Sequence, residues 1–123
     1  MTLVLKDEPY AVAECKRINV DTIESADIIS ILKTQRGFTM ICKENSVPEE
    51  AGKIAGGWAL FEPMLVPEIN IKSIIYVIAG KLSMEDINVN VLNEWDRNFI
   101  LVKREDVKKA IDIMVNSGIS IAE

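Results

Sequence analysis

The stretch Phe99-Ile-Leu-Val-Lys-Arg-Glu-Asp-Val-Lys-Lys-Ala-Ile-Asp-Ile-Met-Val-Asn-Ser-Gly118 switches once from strand-like to helix-like sequence, and that switch decides the fold class. Phe99 to Lys103 reads as a strand. A helix begins near Glu105, with Val107, Ala110, Ile111, Met114 and Val115 on one apolar face. Glu105 and Asp106 sit in its first turn, where the helix dipole favours acids. Gly118 suits the left-handed residue that closes a helix. Ile119-Ser120-Ile121 is a final short strand.

Working outward, Ile87 to Leu92 alternates as the partner strand, and Glu94-Trp95-Asp96-Arg97-Asn98 is the turn between the two. A helix is predicted from about Asn70 to Met84. Ile71, Ile74, Ile75, Ile78 and Leu82 make its apolar stripe, and Asn70 is its N-cap. Trp58 to Leu65 reads as a strand, with Pro63 marking an edge or a bulge. In the first half, Tyr10 to Lys16 is a strand. Asp21-Thr22-Ile23-Glu24 has capping-box spacing for one or two helical turns. Ile28 to Lys33 and Phe38 to Lys43 form a hairpin across Thr34-Gln35-Arg36-Gly37, with Gly37 supplying positive φ. Phe38, Met40 and Cys42 share one face. Ser46-Val47-Pro48-Glu49 is a second capping box, opening a short helix that ends by Gly56-Gly57. The string is β-α-β-β-α-β followed by α-β-β-α-β. It describes an α+β, ferredoxin-like fold of two tandem βαββαβ units with antiparallel sheets and helices on one face. A weak internal repeat supports it: Arg36–Glu44 aligns with Arg97–Glu105, and Gly57 falls on Gly118 in the same register. The expected units are 1–62 and 63–123.

Composition narrows the function. The 123 residues are 49% hydrophobic and 27% charged, the balance of a globular domain. Fourteen Lys and Arg against 19 Asp and Glu give a net charge of −5, which argues against nucleic acid or an anionic membrane as partner. The chain has no histidine. That removes Ser-His-Asp and Cys-His catalysis, histidine metal ligation and histidine pH switches. Two cysteines, Cys15 and Cys42, are too few for a disulfide scaffold or a Cys₄ zinc site and read as reduced, half-buried thiols of a cytoplasmic protein. Met1 to Glu8 lacks the pattern of a signal peptide, and no run approaches the roughly 18 apolar residues of a membrane span. Glu49-Glu50, Glu85-Asp86 and Glu105-Asp106 point different ways along their elements and make poor metal or acid–base pairs. Gly56-Gly57 lacks the residues of a phosphate loop and reads as a turn. No cofactor and no metal are expected.

Four pieces together resemble small tandem ACT-domain proteins, relatives of aspartate kinase regulatory domains and of eukaryotic arginine sensors. They are the strand and helix of Phe99 to Gly118, the strand and loop of Ile87 to Asn98, Ser46-Val47-Pro48-Glu49, and Gly56-Gly57-Trp58. The likeness runs from about residue 8 to 119. It implies paired units and an amino acid or similar small molecule bound at a seam between units or subunits. The implied site is Pro67, Glu68, Ile69 and Asn70, at the loop and helix start, facing Asn88 and Asn90. There the helix amides suit an α-carboxylate, and Asp96 or Glu68 could pair with an α-amine. Asn98 stands where the family has an acid, and Asp86 where it usually has Gly. The resemblance therefore implies a non-catalytic sensor or regulatory module, a cytoplasmic homodimer with a small-molecule ligand. The alternative is a structural or interaction protein that keeps the fold without the pocket, acting as homodimer or enzyme subunit.

Overall fold

The computed structural model describes residues 1–25, 27–64, 70–93 and 97–123. In chain order its strands and helices are β1 (Thr2–Leu5), β2 (Tyr10–Cys15), α1 (Val20–Ser25), β3 (Ile28–Thr34), β4 (Gly37–Lys43) and β5 (Lys53–Pro63). There follow α2 (Ile71–Met84), β6 (Val89–Asn93), β7 (Asn98–Lys103), α3 (Val107–Asn116) and β8 (Ser120–Ala122). Contacts divide the chain into a larger unit, Met1–Asp7 with Trp58–Glu123, and a smaller one, Glu8–Gly57. The fold class is as read: α+β with mostly antiparallel pairing.

The larger unit contains the βαββαβ string β5-α2-β6-β7-α3-β8. Its strands lie in the order β6-β7-β5-β1-β8. β1 is the addition: it pairs antiparallel with β5 and parallel with β8. Both helices pack on one face of this sheet, where Ile75, Ile78 and Leu82 of α2 and Ala110 and Met114 of α3 meet Leu3, Phe61, Ile100 and Val102. The predicted stripe of α2 is therefore the buried one. On α3, Val115 is not part of it and stays about half exposed, because the inward face runs through Ala110 and Met114.

The two helices of this unit end alike. In α3 the Ile119 amide reaches the Met114 carbonyl and the Gly118 amide the Val115 carbonyl, the paired closure that needs a left-handed residue. Gly118 supplies it with φ +89°. In α2 the Ile87 amide reaches the Leu82 carbonyl and the Asp86 amide the Ser83 carbonyl. Here the left-handed residue is Asp86, at φ +61°. Lys109 Nζ also donates to the Glu85 carbonyl at 2.9 Å, adding a positive charge at the negative end of α2.

The smaller unit pairs β3, β4 and β2 in that order. Ala13, Cys15, Met40 and Cys42 form the core on one face, with Ile18, Ile28, Val47 and Ala51 packed against it. Three expectations fail here. Gly56-Gly57, read as a turn before a strand from Trp58, lies inside β5, which starts at Lys53. The helix opened by Ser46-Val47-Pro48-Glu49 is a 3₁₀ turn at Glu44–Ser46 with a turn at 49–50, because β5 starts at Lys53 and leaves no length for a helix. Ser46 Oγ instead accepts from the Asp27 amide at 3.2 Å. The cap of α1 is Asn19, not Asp21: Asn19 Oδ1 accepts from the Thr22 amide at 2.8 Å, so the helix starts earlier.

Candidate functional site

In the larger unit, strand register sorts the predicted site residues onto two faces. Val89 and Val91 pack into the helix-side core, so Asn93 shares that face. Asn98 pairs directly with Asn93 across the β6–β7 ladder and faces the same way. Asn90 pairs with Leu101 and faces the opposite side, half-buried, while Asn88 is exposed just before β6 begins. Since α2 and β6 are consecutive and run in opposite directions, the start of α2 lies at the Asn93 end. The side-chain bond from Asn93 Nδ2 to Tyr76 Oη, at 2.6 Å, fixes this.

At that end, Asn70 caps α2 as predicted, its Oδ1 accepting from the Ser73 amide at 3.3 Å. The carboxamide is thus committed to the helix, while the amides of Ile71 and Lys72 have no partner inside it. Asn98 is 6% exposed, and its Oδ1 has no hydrogen-bond partner among the described residues. A buried acceptor without a donor costs about 1–3 kcal/mol, so it marks a place where a donor fits. Pro67, Glu68, Ile69 and Asp96 lie outside the described residues. The structure thus groups Asn70, Asn93 and Asn98 with Tyr76 at one end of α2 and separates Asn88 and Asn90 from them. Tyr76 was not singled out in the sequence. Its signal was a hydroxyl-bearing residue one position off an otherwise aliphatic stripe.

The opposite face of the same sheet is electrostatically matched. Arg97 donates to Glu62 Oε1 through Nε at 3.0 Å and Nη2 at 2.8 Å, and lies 4.9 Å over the Phe99 ring. Lys6 approaches the other Glu62 oxygen at 3.7 Å. Lys103 sits 4.3 Å over the Trp58 ring. Trp58 is buried, and its Nε1 has no acceptor among the described residues.

Cys15 and Cys42, expected half-buried, are fully buried and unbonded to each other. Burial pushes both thiols above the ordinary range. Glu50 adds to the effect at Cys15, and Cys15 adds to it at Cys42. Both are therefore held neutral at physiological pH, the reverse of what a nucleophilic or metal-binding thiol needs. Among the described residues no cluster of acids and cysteines could hold a metal ion, and no helix is long and apolar enough to cross a membrane.

No known family profile matches the chain, and no curated protein matches it. Solved structures do. A protein from Agrobacterium tumefaciens matches with a TM-score of 0.77 at 22% identity, over 98% of this chain and 90% of that one. A Vibrio cholerae protein described as a possible transport protein matches at 0.69 and 17% identity, over 94% of this chain and 88% of that one. The ligand-free regulatory subunit of aspartate kinase from Thermus thermophilus matches at 0.62 and 9% identity, over 93% of this chain and 94% of that one. The resemblance read in the sequence thus holds at the level of the fold: this chain has the α+β, ferredoxin-like ACT fold of aspartate kinase regulatory domains.

Proposed function

We propose that this chain is a non-catalytic regulatory module of the ACT type that binds a small molecule, an amino acid, at a seam between its repeats or between two copies of a cytoplasmic homodimer. The repeats in this reading are 1–62 and 63–123. The observation that carries it is the buried carboxamide of Asn98, whose Oδ1, without a partner among the described residues, lies beside Asn93 at the start of α2. An acceptor suits an α-amine, and the first-turn amides of α2 suit an α-carboxylate, so the two ends of a zwitterion find complementary groups at the same end of one helix. Pro67, Glu68, Ile69 and Asp96 complete the proposed site, whereas Asn88 and Asn90, which face the other side of the sheet, stand outside it. Binding would matter through differential affinity for two packings of the seam.

The test is a thermal-shift screen against the standard amino acids, followed by calorimetry. A ligand at 100-fold over its Kd stabilises by about 2.7 kcal/mol, which moves Tm by several degrees in a domain of this size. One selective hit is expected, lost in Asn98→Ala and retained in Asn90→Ala, whose side chain faces the other side of the sheet. A flat screen would sink the ligand reading. It would favour the alternative, a pocketless interaction protein, for which the capture of the Asn70 side chain by its own helix already speaks.

A further inference from the structure

The smaller unit carries a cleft that the amino-acid reading does not use. It lies where β2 ends, beneath the tip of the β3–β4 hairpin and beside the segment leading into β5, and it measures about 830 Å³. That is within the range of small-molecule sites, roughly 300–1,000 Å³. Its lining is mostly charged: Lys16, Arg17, Arg36 and Lys53 stand around it, and its apolar surface is chiefly that of their aliphatic stems. Glu14 and Glu50 are the two acids on the lining. Four cations against two acids reverse, at this one place, the sign of a chain whose net charge is −5.

Two features make this more than a chance meeting of surface charges. The first is that the cations are not spent on the fold. Lys43, Lys6 and Arg97 pair with carboxylates elsewhere. The side chains of Lys16, Arg17, Arg36 and Lys53 form no salt bridge or hydrogen bond among the described residues, although Glu14 and Glu50 line the same cleft. Like charges gathered in excess of the acids beside them repel one another, and an anion bridging them relieves that repulsion. The second is that the geometry is held by backbone. Gly37 has φ +127°, and a Cβ there would stand 2.4 Å from the Cys15 carbonyl oxygen and 2.9 Å from Lys16 Cα. The hairpin tip carrying Arg36 is therefore seated directly on the backbone that carries Lys16. The Gly52 amide donates to the Glu14 carbonyl at 2.9 Å, which fixes the wall beside Lys53.

We propose that this cleft binds a small organic phosphate with a flat apolar body bearing hydrogen-bond donors, of the size of a nucleoside monophosphate. Arg36, Lys16, Arg17 and Lys53 take the phosphate, the aliphatic stems of these side chains take the ring, and Glu14 and Glu50 accept from amino or hydroxyl groups on the body. The guanidinium groups provide the planar two-donor recognition that phosphate favours. This site goes beyond the seam reading and is independent of it.

The experiment is calorimetric titration of the full chain with adenosine 5′-monophosphate, adenosine and inorganic phosphate. Adenosine 5′-monophosphate is expected to bind at concentrations of about 1 mM or below, with the other two about tenfold weaker or worse. Raising salt from about 50 to 200 mM should weaken it severalfold. Arg36→Gln and Lys53→Gln, both at exposed positions, should each weaken it about tenfold with Tm unchanged. The proposal is overturned if adenosine 5′-monophosphate gives no heat, if adenosine or phosphate alone binds as tightly, or if both variants bind like the parent. Asn98→Ala should leave this titration unaltered, so failure here and failure of the amino-acid screen are separate results.

Discussion

Asp86 shows how a single side chain can sit against the grain of its backbone. The left-handed region costs a non-glycine residue about 1 kcal/mol or more, less for Asp than for most, and α2 ends there regardless. An acid at that end also faces the negative pole of the helix. Asp86→Gly should therefore raise stability by about 1 kcal/mol, read as a higher denaturant midpoint with unchanged slope. Gly37 is the opposite case. Its φ of +127° lies where other residues are strained, and the Cys15 carbonyl leaves no room for a Cβ. Gly37→Ala should cost about 2 kcal/mol or more in the same measurement. The two thiols give a pH signature. Their affinity for protons is higher folded than unfolded, so the unfolded chain releases protons first as pH rises. The stability they contribute is complete below the ordinary thiol range and is lost above about pH 8.5. Denaturation of the smaller unit followed across that range should show falling midpoints, and the slope should flatten in the Cys15→Ala, Cys42→Ala double variant. At this scale the sequence was legible wherever one residue type has one use: Gly37 at the hairpin, Gly118 after α3 and Asn70 before α2 were all placed from identity and spacing. Asn98 was read by position, but its burial was not foreseeable, since a turn asparagine and a buried one look alike.

At the scale of elements, long apolar stripes were read well and short ones poorly. α2 and α3 announced themselves through several turns of inward-facing residues. The turn after β4 carries helix-start chemistry without the length to use it, and Ser46 found a better partner in the Asp27 amide. β1 was missed for a different reason. Four residues of apolar sequence carry no period, and only pairing partners far along the chain make a strand of them. Its importance shows in Leu3, which is fully buried among Phe61, Ile100 and Met114. Leu3→Ala should destabilise the larger unit by about 2–5 kcal/mol, comparable to a mid-helix core truncation. Tm and urea midpoint check this. A loss below about 1 kcal/mol would mean β1 is not integral to the sheet.

At the scale of the molecule, the two units differ in how they are held. The larger has a helix-side core supplied by every one of its described strands and both helices, whereas α1 of the smaller buries no residue. Hydrogen exchange should accordingly be slowest in β7 and α3 and faster in β3, an edge strand with Ile31 and Leu32 exposed. The placement of β1 between β5 and β8 also orders events in time. A ribosome emits the chain from one end, so residues 2–5 leave it long before their parallel partner at 120–122 has been joined. At about 5–20 residues per second that interval lasts roughly 6–24 s, during which Glu8–Gly57 can settle as a local structure while β1 has only one of its two neighbours to hold. Closing the larger sheet is therefore a late, long-range event, slowed by the loop entropy of joining distant segments. During vectorial synthesis an unfilled edge of β1 awaits β8, and any chaperone attending this nascent chain would find its exposed strand edge there.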